Sequence, residues 1–153
     1  MSDPIAIKKS LLFQCAELMQ EKVDVLEKMT SDMQDSANNE TKSSAGDKFE
    51  TGRAMMHMER DKYARQLAQA VLVRDQLERI DPEKIFDHVT FGAIVKTKLA
   101  NYFIAISAGR IEVEGEKFYV ISPQAPLAQE ILQKKAGDTF VFNDQEVKVL
   151  EVF

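Results

Sequence analysis

In the first half of the chain the apolar positions recur at alternating steps of four and three residues, through Leu12, Ala16, Met19, Val23, Leu26, Thr30, Met33 and Ala37. That is the heptad rhythm of a helix burying one narrow stripe. Neither Gly nor Pro occurs between Ile5 and Ala45, so the first break is the polar run Ser36-Ala-Asn-Asn-Glu-Thr-Lys-Ser-Ser-Ala-Gly46, where a turn is expected. A second stripe follows at Met56, Tyr63, Leu67, Ala70, Leu77 and Ile80, and Asp81-Pro82 stops it. Two arms of roughly 30 residues would each be about 45 Å long at the helical rise. Neither can bury its stripe alone, and the polar connection lets them lie side by side. The expectation is an antiparallel coiled-coil hairpin over residues 1–81, with its tip near 36–50.

Beyond Pro82 the rhythm changes to short β-branched and aromatic runs at 89–96, 101–107, 110–113, 117–121, 139–142 and 146–152, which read as strands. Glu114-Gly115 and Asn143-Asp144 lie between such runs as tight-turn dipeptides and predict two antiparallel hairpins. One helix interrupts the strands: Ser122 is placed as its N-cap, Pro123 at its first position, Leu127, Ile131 and Leu132 toward the sheet, and Gly137 just past its end. The fold class is therefore α+β, with residues 82–153 forming a small antiparallel β domain that carries one helix.

At 153 residues and 44% hydrophobic composition, the chain can build one ordinary domain or two small ones. A net charge of −5 argues against a protein whose main task is gripping phosphates, and favours a protein partner. Cys15 is the single cysteine, which removes a disulfide framework and a cysteine-based metal site and leaves a semi-buried helix residue. No apolar stretch has membrane-spanning length and the first ten residues lack a signal-like pattern, so the expected location is the cytoplasm, with no membrane partner.

Candidate chemistry concentrates at Gly46-Asp47-Lys48-Phe49-Glu50, where two carboxylates stand three positions apart. On the first turn of a helix such a pair faces one side and can share a hard cation such as Mg²⁺ with ligands from another molecule. The same spacing serves a capping pair whose charges suit the helix dipole, and spacing alone favours capping. The chain's two histidines, His57 and His88, fall in different halves, which leaves little for a paired metal site or a hydrolytic triad. Neither a Gly-x-Ser-x-Gly elbow nor a Gly-Lys-Ser/Thr loop occurs. Met55, Met56 and Met58 gather behind the tip, and Met56 at least fits the stripe, so core packing is the reading for them.

The order of motifs then becomes informative. Gly-Asp-x-x-Glu at a hairpin tip is followed by Phe91-Gly92-Ala93, by Ile121-Ser122-Pro123-Gln124-Ala125-Pro126-Leu127-Ala128, and by Lys134-Lys135-Ala136-Gly137-Asp138. This order and spacing, along nearly the whole chain, resembles the Gre transcription elongation factors, and the last two runs look like that family's FKBP-like domain. The resemblance implies a monomeric factor that binds bacterial RNA polymerase, inserts its hairpin into the secondary channel and docks its globular half outside. Asp47 and Glu50 would match the family's acidic pair, which helps position Mg²⁺ and water so that a backtracked transcript is cleaved, with only indirect contact to the nascent RNA. Ser122 and Pro123 would contact the polymerase. On this reading the chain is not an enzyme, binds no cofactor alone, and lends Mg²⁺ ligands to the polymerase's own active site.

Two departures bear on that reading. Where the family continues Asn-Ala-Glu-Tyr after the acidic pair, this chain has Thr51-Gly52-Arg53-Ala54, and Ile121 stands where a polar or acidic residue precedes the family's Ser-Pro. They keep open a regulator that occupies the channel without stimulating cleavage. Readings of other classes are a prolyl isomerase or chaperone using the FKBP-like half, disfavoured by the absence of Trp and by 8% aromatic content, and a self-associating coiled coil.

Overall fold

The computed structural model describes the backbone of residues 3–41 and 47–153 and the side chains of 3–36 and 51–153. In chain order the elements are α1 (Pro4–Thr41), α2 (Asp47–Leu77), β1 (Ile94–Thr97), β2 (Asn101–Ile104), β3 (Gly109–Val113), β4 (Glu116–Ile121), α3 (Pro126–Ile131), β5 (Thr139–Phe142) and β6 (Gln145–Val152). They fall into two compact units, a helical one of Leu18–Asp75 and a sheet unit of Met1–Glu17 with Gln76–Phe153. No helix among the described residues is long and apolar enough to cross a membrane.

In the helical unit the two arms run antiparallel. Arg74 Nη1 donates to Gln20 Oε1 at 3.3 Å, and Arg60 Nη1 donates to Gln34 Oε1 at 3.0 Å. Two heptads forward on α1 are thus matched by two heptads back on α2, a register symmetric about position 47. Met19, Val23, Leu26 and Ala70 are buried along the seam, and Thr30, Met33, Tyr63 and Leu67 are half-buried. The second predicted stripe therefore lies where the heptad reading puts it. The first stripe needs a correction at its start: Leu11 and Cys15 are buried, whereas Leu12 is half-buried and Ala16 exposed. From Ile7 to Val23 the buried apolar positions step by four each time, and the three-and-four alternation begins only at Val23. A stripe of four-residue steps drifts around a 3.6-residue helix, and Leu11 and Cys15 fall in the part of α1 that belongs to the sheet unit.

The sheet has six strands in the order β3-β4-β2-β1-β6-β5. It is mixed, which corrects the antiparallel expectation: β2 pairs parallel with β4, from Asn101↔Phe118 to Ile104↔Ile121, while the other pairings are antiparallel. The reason is visible in the two strands that compete for the place beside β2. Phe118 and Val120 of β4 are buried on one face and Ile121 packs into the core on the other, whereas β3 offers exposed Gly109, Arg110 and Glu112. The more apolar strand takes the interior position and the charged one the edge. Both predicted hairpins form, with positive φ at Glu114 (52°) and Gly115 (81°) and at Asn143 (52°) and Asp144 (63°), the backbone of a two-residue type I′ turn.

Two further expectations shift. The strand expected at 89–96 begins only at Ile94, because Gly92 takes φ 93° and Ala93 N–H closes a turn onto Thr90 C=O at 3.0 Å. Val89 pairs instead with the segment after α3, its N–H donating to Lys134 C=O at 2.9 Å. The helix begins at Pro126 with Ala125 as its N-cap residue, and Ser122 and Pro123 form a separate turn before it. Pro126 fills the N1 place that Pro123 was expected to hold, since either proline has the φ that a first helical position needs. Leu127, Ile131 and Leu132 do pack on the sheet, in a core with Val89, Val95, Tyr102, Ile104, Phe140, Val147 and Val149.

Candidate functional site

The acidic pair sits on the first turn of α2, which begins at Asp47. The side chains of Asp47 and Glu50, like those of residues 37–50 as a whole, and the backbone of residues 42–46 in the predicted tip lie outside the described residues. Among the described residues no group of three or more His, Cys, Asp or Glu side chains is placed to hold a metal ion. Behind the pair, Met55 and Met58 are 64% and 70% exposed while Met56 is half-buried, so only Met56 follows the core reading. The other two leave a soft apolar surface on that arm. His57 is half-buried and its Nδ1 has no hydrogen-bond partner.

The Ser-Pro run is built as a turn. Ala125 N–H donates to Ser122 C=O at 3.0 Å, Gln124 N–H donates to Ser122 Oγ at 3.1 Å, and Ser122 Oγ donates in turn to Gln124 Oε1. Gln129 Nε2 reaches back to Pro123 C=O at 2.6 Å and ties the turn to α3. A serine hydroxyl that satisfies the backbone two residues ahead is a common turn device, so Ser122 has a structural task whether or not it meets a partner. Ser122 and Pro123 remain half-exposed, and Pro123 and Gln124 line a surface cleft together with Gln76, Arg79 and Phe91.

The other motif residues are likewise accounted for by the backbone. Lys135 N–H donates to Asp138 Oδ2 at 2.8 Å, Asp138 N–H returns to Lys135 C=O at 3.0 Å, and Gly137 between them holds φ 95°. Lys-Lys-x-Gly-Asp is thus a closed turn that feeds β5. In Phe91-Gly92-Ala93 a Cβ on Gly92 would stand 3.3 Å from Ile80 Cγ2 and 3.6 Å from Phe86 Cε2, besides requiring a left-handed backbone.

Sequence reasoning missed Lys8. In Ile7-Lys8-Lys9 it reads as a solvent-facing cation, yet it is wholly buried. Its Nζ donates to Lys84 C=O at 2.6 Å and lies 4.8 Å from the centre of the Phe86 ring. Burial pushes its pKa down to about 8, with the charge of Asp81 opposing the shift. Cys15 is fully buried where a semi-buried residue was expected, and burial pushes its thiol up to about 11, which makes it a core residue and not a nucleophile. At His88, Nδ1 lies 2.7 Å from Asp87 Oδ1, an exposed pair that holds the Asp87 carboxyl below the usual range.

No family model matches the chain, and no curated protein matches it. Among solved structures it is similar to the crystal structure of the GreA factor homolog 1 (Gfh1) protein of Thermus thermophilus, with 13% identity, 94% of this chain and 93% of that chain covered, and a TM-score of 0.35.

Proposed function

We propose that this chain is a transcription factor of the Gre type that binds bacterial RNA polymerase and stimulates cleavage of backtracked transcripts. The observation that carries the reading is the meeting of motif and register. The arms are held antiparallel about position 47, and Asp47-Lys48-Phe49-Glu50 lies at that position, on the first turn of α2. The ordered motifs of the sheet unit support it further, with Ser122-Pro123 half-exposed beside a cleft.

On this reading the arms enter the polymerase's secondary channel and Asp47 and Glu50 supply carboxylate oxygens there. Mg²⁺ shared with the polymerase would polarise the attacking water, and two carboxylates from one protein are a reasonable complement for an ion that takes its remaining ligands elsewhere. The hydrolysis belongs to the polymerase, and this chain contributes ligands and position. The test is a transcript-cleavage assay on backtracked elongation complexes, comparing the unmodified chain with Asp47→Ala/Glu50→Ala. The reading expects shortened transcripts with the former and a loss of at least about tenfold in rate with the latter, in line with removing a group that orients the reacting water. Equal cleavage by both would contradict it.

A second reading rests on Thr51-Gly52-Arg53, which puts a helix-weakening glycine and a half-buried cation in the turn after the acidic pair. It makes the chain an occupant of the channel that alters transcription without promoting cleavage. Binding to polymerase with no new cleavage product would favour it.

A further inference from the structure

The cleft beside the Ser122 turn has a volume of about 270 Å³ and is walled by Gln76, Arg79, Phe91, Pro123 and Gln124. It is smaller than the space of roughly 300–1,000 Å³ that small-molecule ligands occupy, and suits one or two side chains better than a cofactor. Phe91 and Pro123 are half-buried and supply apolar rings. The polar part is rich in donors. Arg79 is exposed and enters no ion pair or side-chain hydrogen bond among the described residues. Gln124 commits its Oε1 to Ser122 Oγ, which leaves the NH₂ end for an acceptor. The carboxylate of Asp81, two residues along the chain, accepts from Glu83 N–H through Oδ1 at 3.0 Å and forms no ion pair with Arg79 among the described residues.

An unpaired guanidinium beside an amide donor and two apolar rings calls for a carboxylate next to an apolar group. Arg79 stands two residues past the end of α2, so the helix dipole also favours a cation there. That accounts for the charge but not for a phenylalanine left half-exposed beside it. We infer that this cleft is a docking site for a protein segment that presents a carboxylate beside an apolar side chain, with Arg79 as the ion-pair partner and Phe91 and Pro123 as the apolar seat. Assigning that segment to RNA polymerase rests on the function proposed above, whereas the chemistry of the cleft does not.

The experiment has two arms, both on the full chain. In the first, backbone amide spectra are recorded while N-acetyl-Phe-Asp-amide is added, with N-acetyl-Phe-Asn-amide as the uncharged control. Saturable shifts at Gln76, Arg79 and Gln124 with the Asp peptide, several-fold weaker with the Asn peptide and lost in Arg79→Gln, are expected. No shift at millimolar peptide, or an equal response to both peptides, would overturn the inference. In the second arm, binding to the cognate polymerase is titrated for the unmodified chain, Arg79→Glu and Arg79→Lys. Arg79→Glu is expected to weaken binding about tenfold or more and Arg79→Lys by less, because a lysine keeps the charge but not the planar fork. Unchanged binding by Arg79→Glu would overturn the assignment of the cleft to the polymerase. If the unmodified chain does not bind polymerase, the proposed function fails, and the peptide arm still decides the cleft.

Discussion

The sheet unit and the helical unit bury their side chains in different ways. In the sheet unit Ile94, Phe103, Ile104, Phe118, Val120, Ile131 and Val149 are essentially sealed from solvent, and β2 buries three successive residues on alternating faces. In the helical unit the seam is a single file of Met19, Val23, Leu26 and Ala70, while Val25, Met55, Met58 and Leu72 stay more than half exposed. A two-sided core specifies one packing and resists change, whereas a single seam holds two helices together and leaves most of their surface for something else. The Gln20–Arg74 and Gln34–Arg60 hydrogen bonds reinforce that seam with polar contacts between the arms.

Core truncation should break this contrast most visibly if it is wrong. Phe118→Ala, in the interior strand β4, is expected to cost about 3–5 kcal/mol, and Leu26→Ala, in the single seam, about 2–3 kcal/mol at the low end of such changes. Urea unfolding followed by far-ultraviolet circular dichroism measures both. A Leu26→Ala cost equal to that of Phe118→Ala would mean the arms are packed as tightly as the sheet.

Gly92→Ala tests the junction before β1 at smaller expected effect. The substitution must adopt φ 93° and press a methyl group to 3.3 Å from Ile80 Cγ2, so a loss of about 2 kcal/mol is expected in the same unfolding assay. A neutral result would show that the Phe91-Gly92-Ala93 turn yields readily.

The smallest effect is a pH dependence that belongs to the sheet unit. Lys8 has a folded pKa of about 8 against 10.5 when unfolded, so between those values the unfolded chain holds one more proton and stability rises with pH. Below pH 8 the cost of burying the charge is fully present. Cys15 acts oppositely: its folded pKa of about 11 against 9.0 means that the unfolded chain ionises first and stability falls as pH rises above 9. Only Lys8 acts between pH 8 and 9, where a gain of about 1 kcal/mol is expected, and the two groups offset each other above that. Lys8→Met should flatten the rise between pH 8 and 9, and Cys15→Ala should leave it in place. A rise that survives Lys8→Met would have to come from another group.

What could be read from the sequence followed from local rules. The second heptad stripe, both two-residue hairpin turns and the sheet-facing residues of α3 depend on spacing and turn chemistry, which neighbouring residues decide. The parallel pairing of β2 with β4 depends on a competition between β3 and β4 for one place, and sequence order suggests the antiparallel neighbour. The helix expected to start at Pro123 starts at Pro126, and the distinction lies in a hydrogen bond that Ser122 Oγ accepts from Gln124 N–H, which spacing does not reveal. Lys8 was missed because a lysine reads as exposed unless its partner is known, and here the partner is a backbone carbonyl far along the chain. Of the candidate site, the acidic pair and the Ser122-Pro123 turn were legible as motifs. Arg79 and Phe91 were not, because only the folded sheet unit brings them to the same cleft.

The central claim is that RNA polymerase is the partner, and equilibrium binding of the fluorescently labelled full chain to purified cognate polymerase core tests it most directly. The account predicts a saturable one-to-one complex that Arg79→Glu weakens and Asp47→Ala/Glu50→Ala leaves formed. No saturable binding to the polymerase, by a chain whose circular dichroism shows it folded, would contradict it.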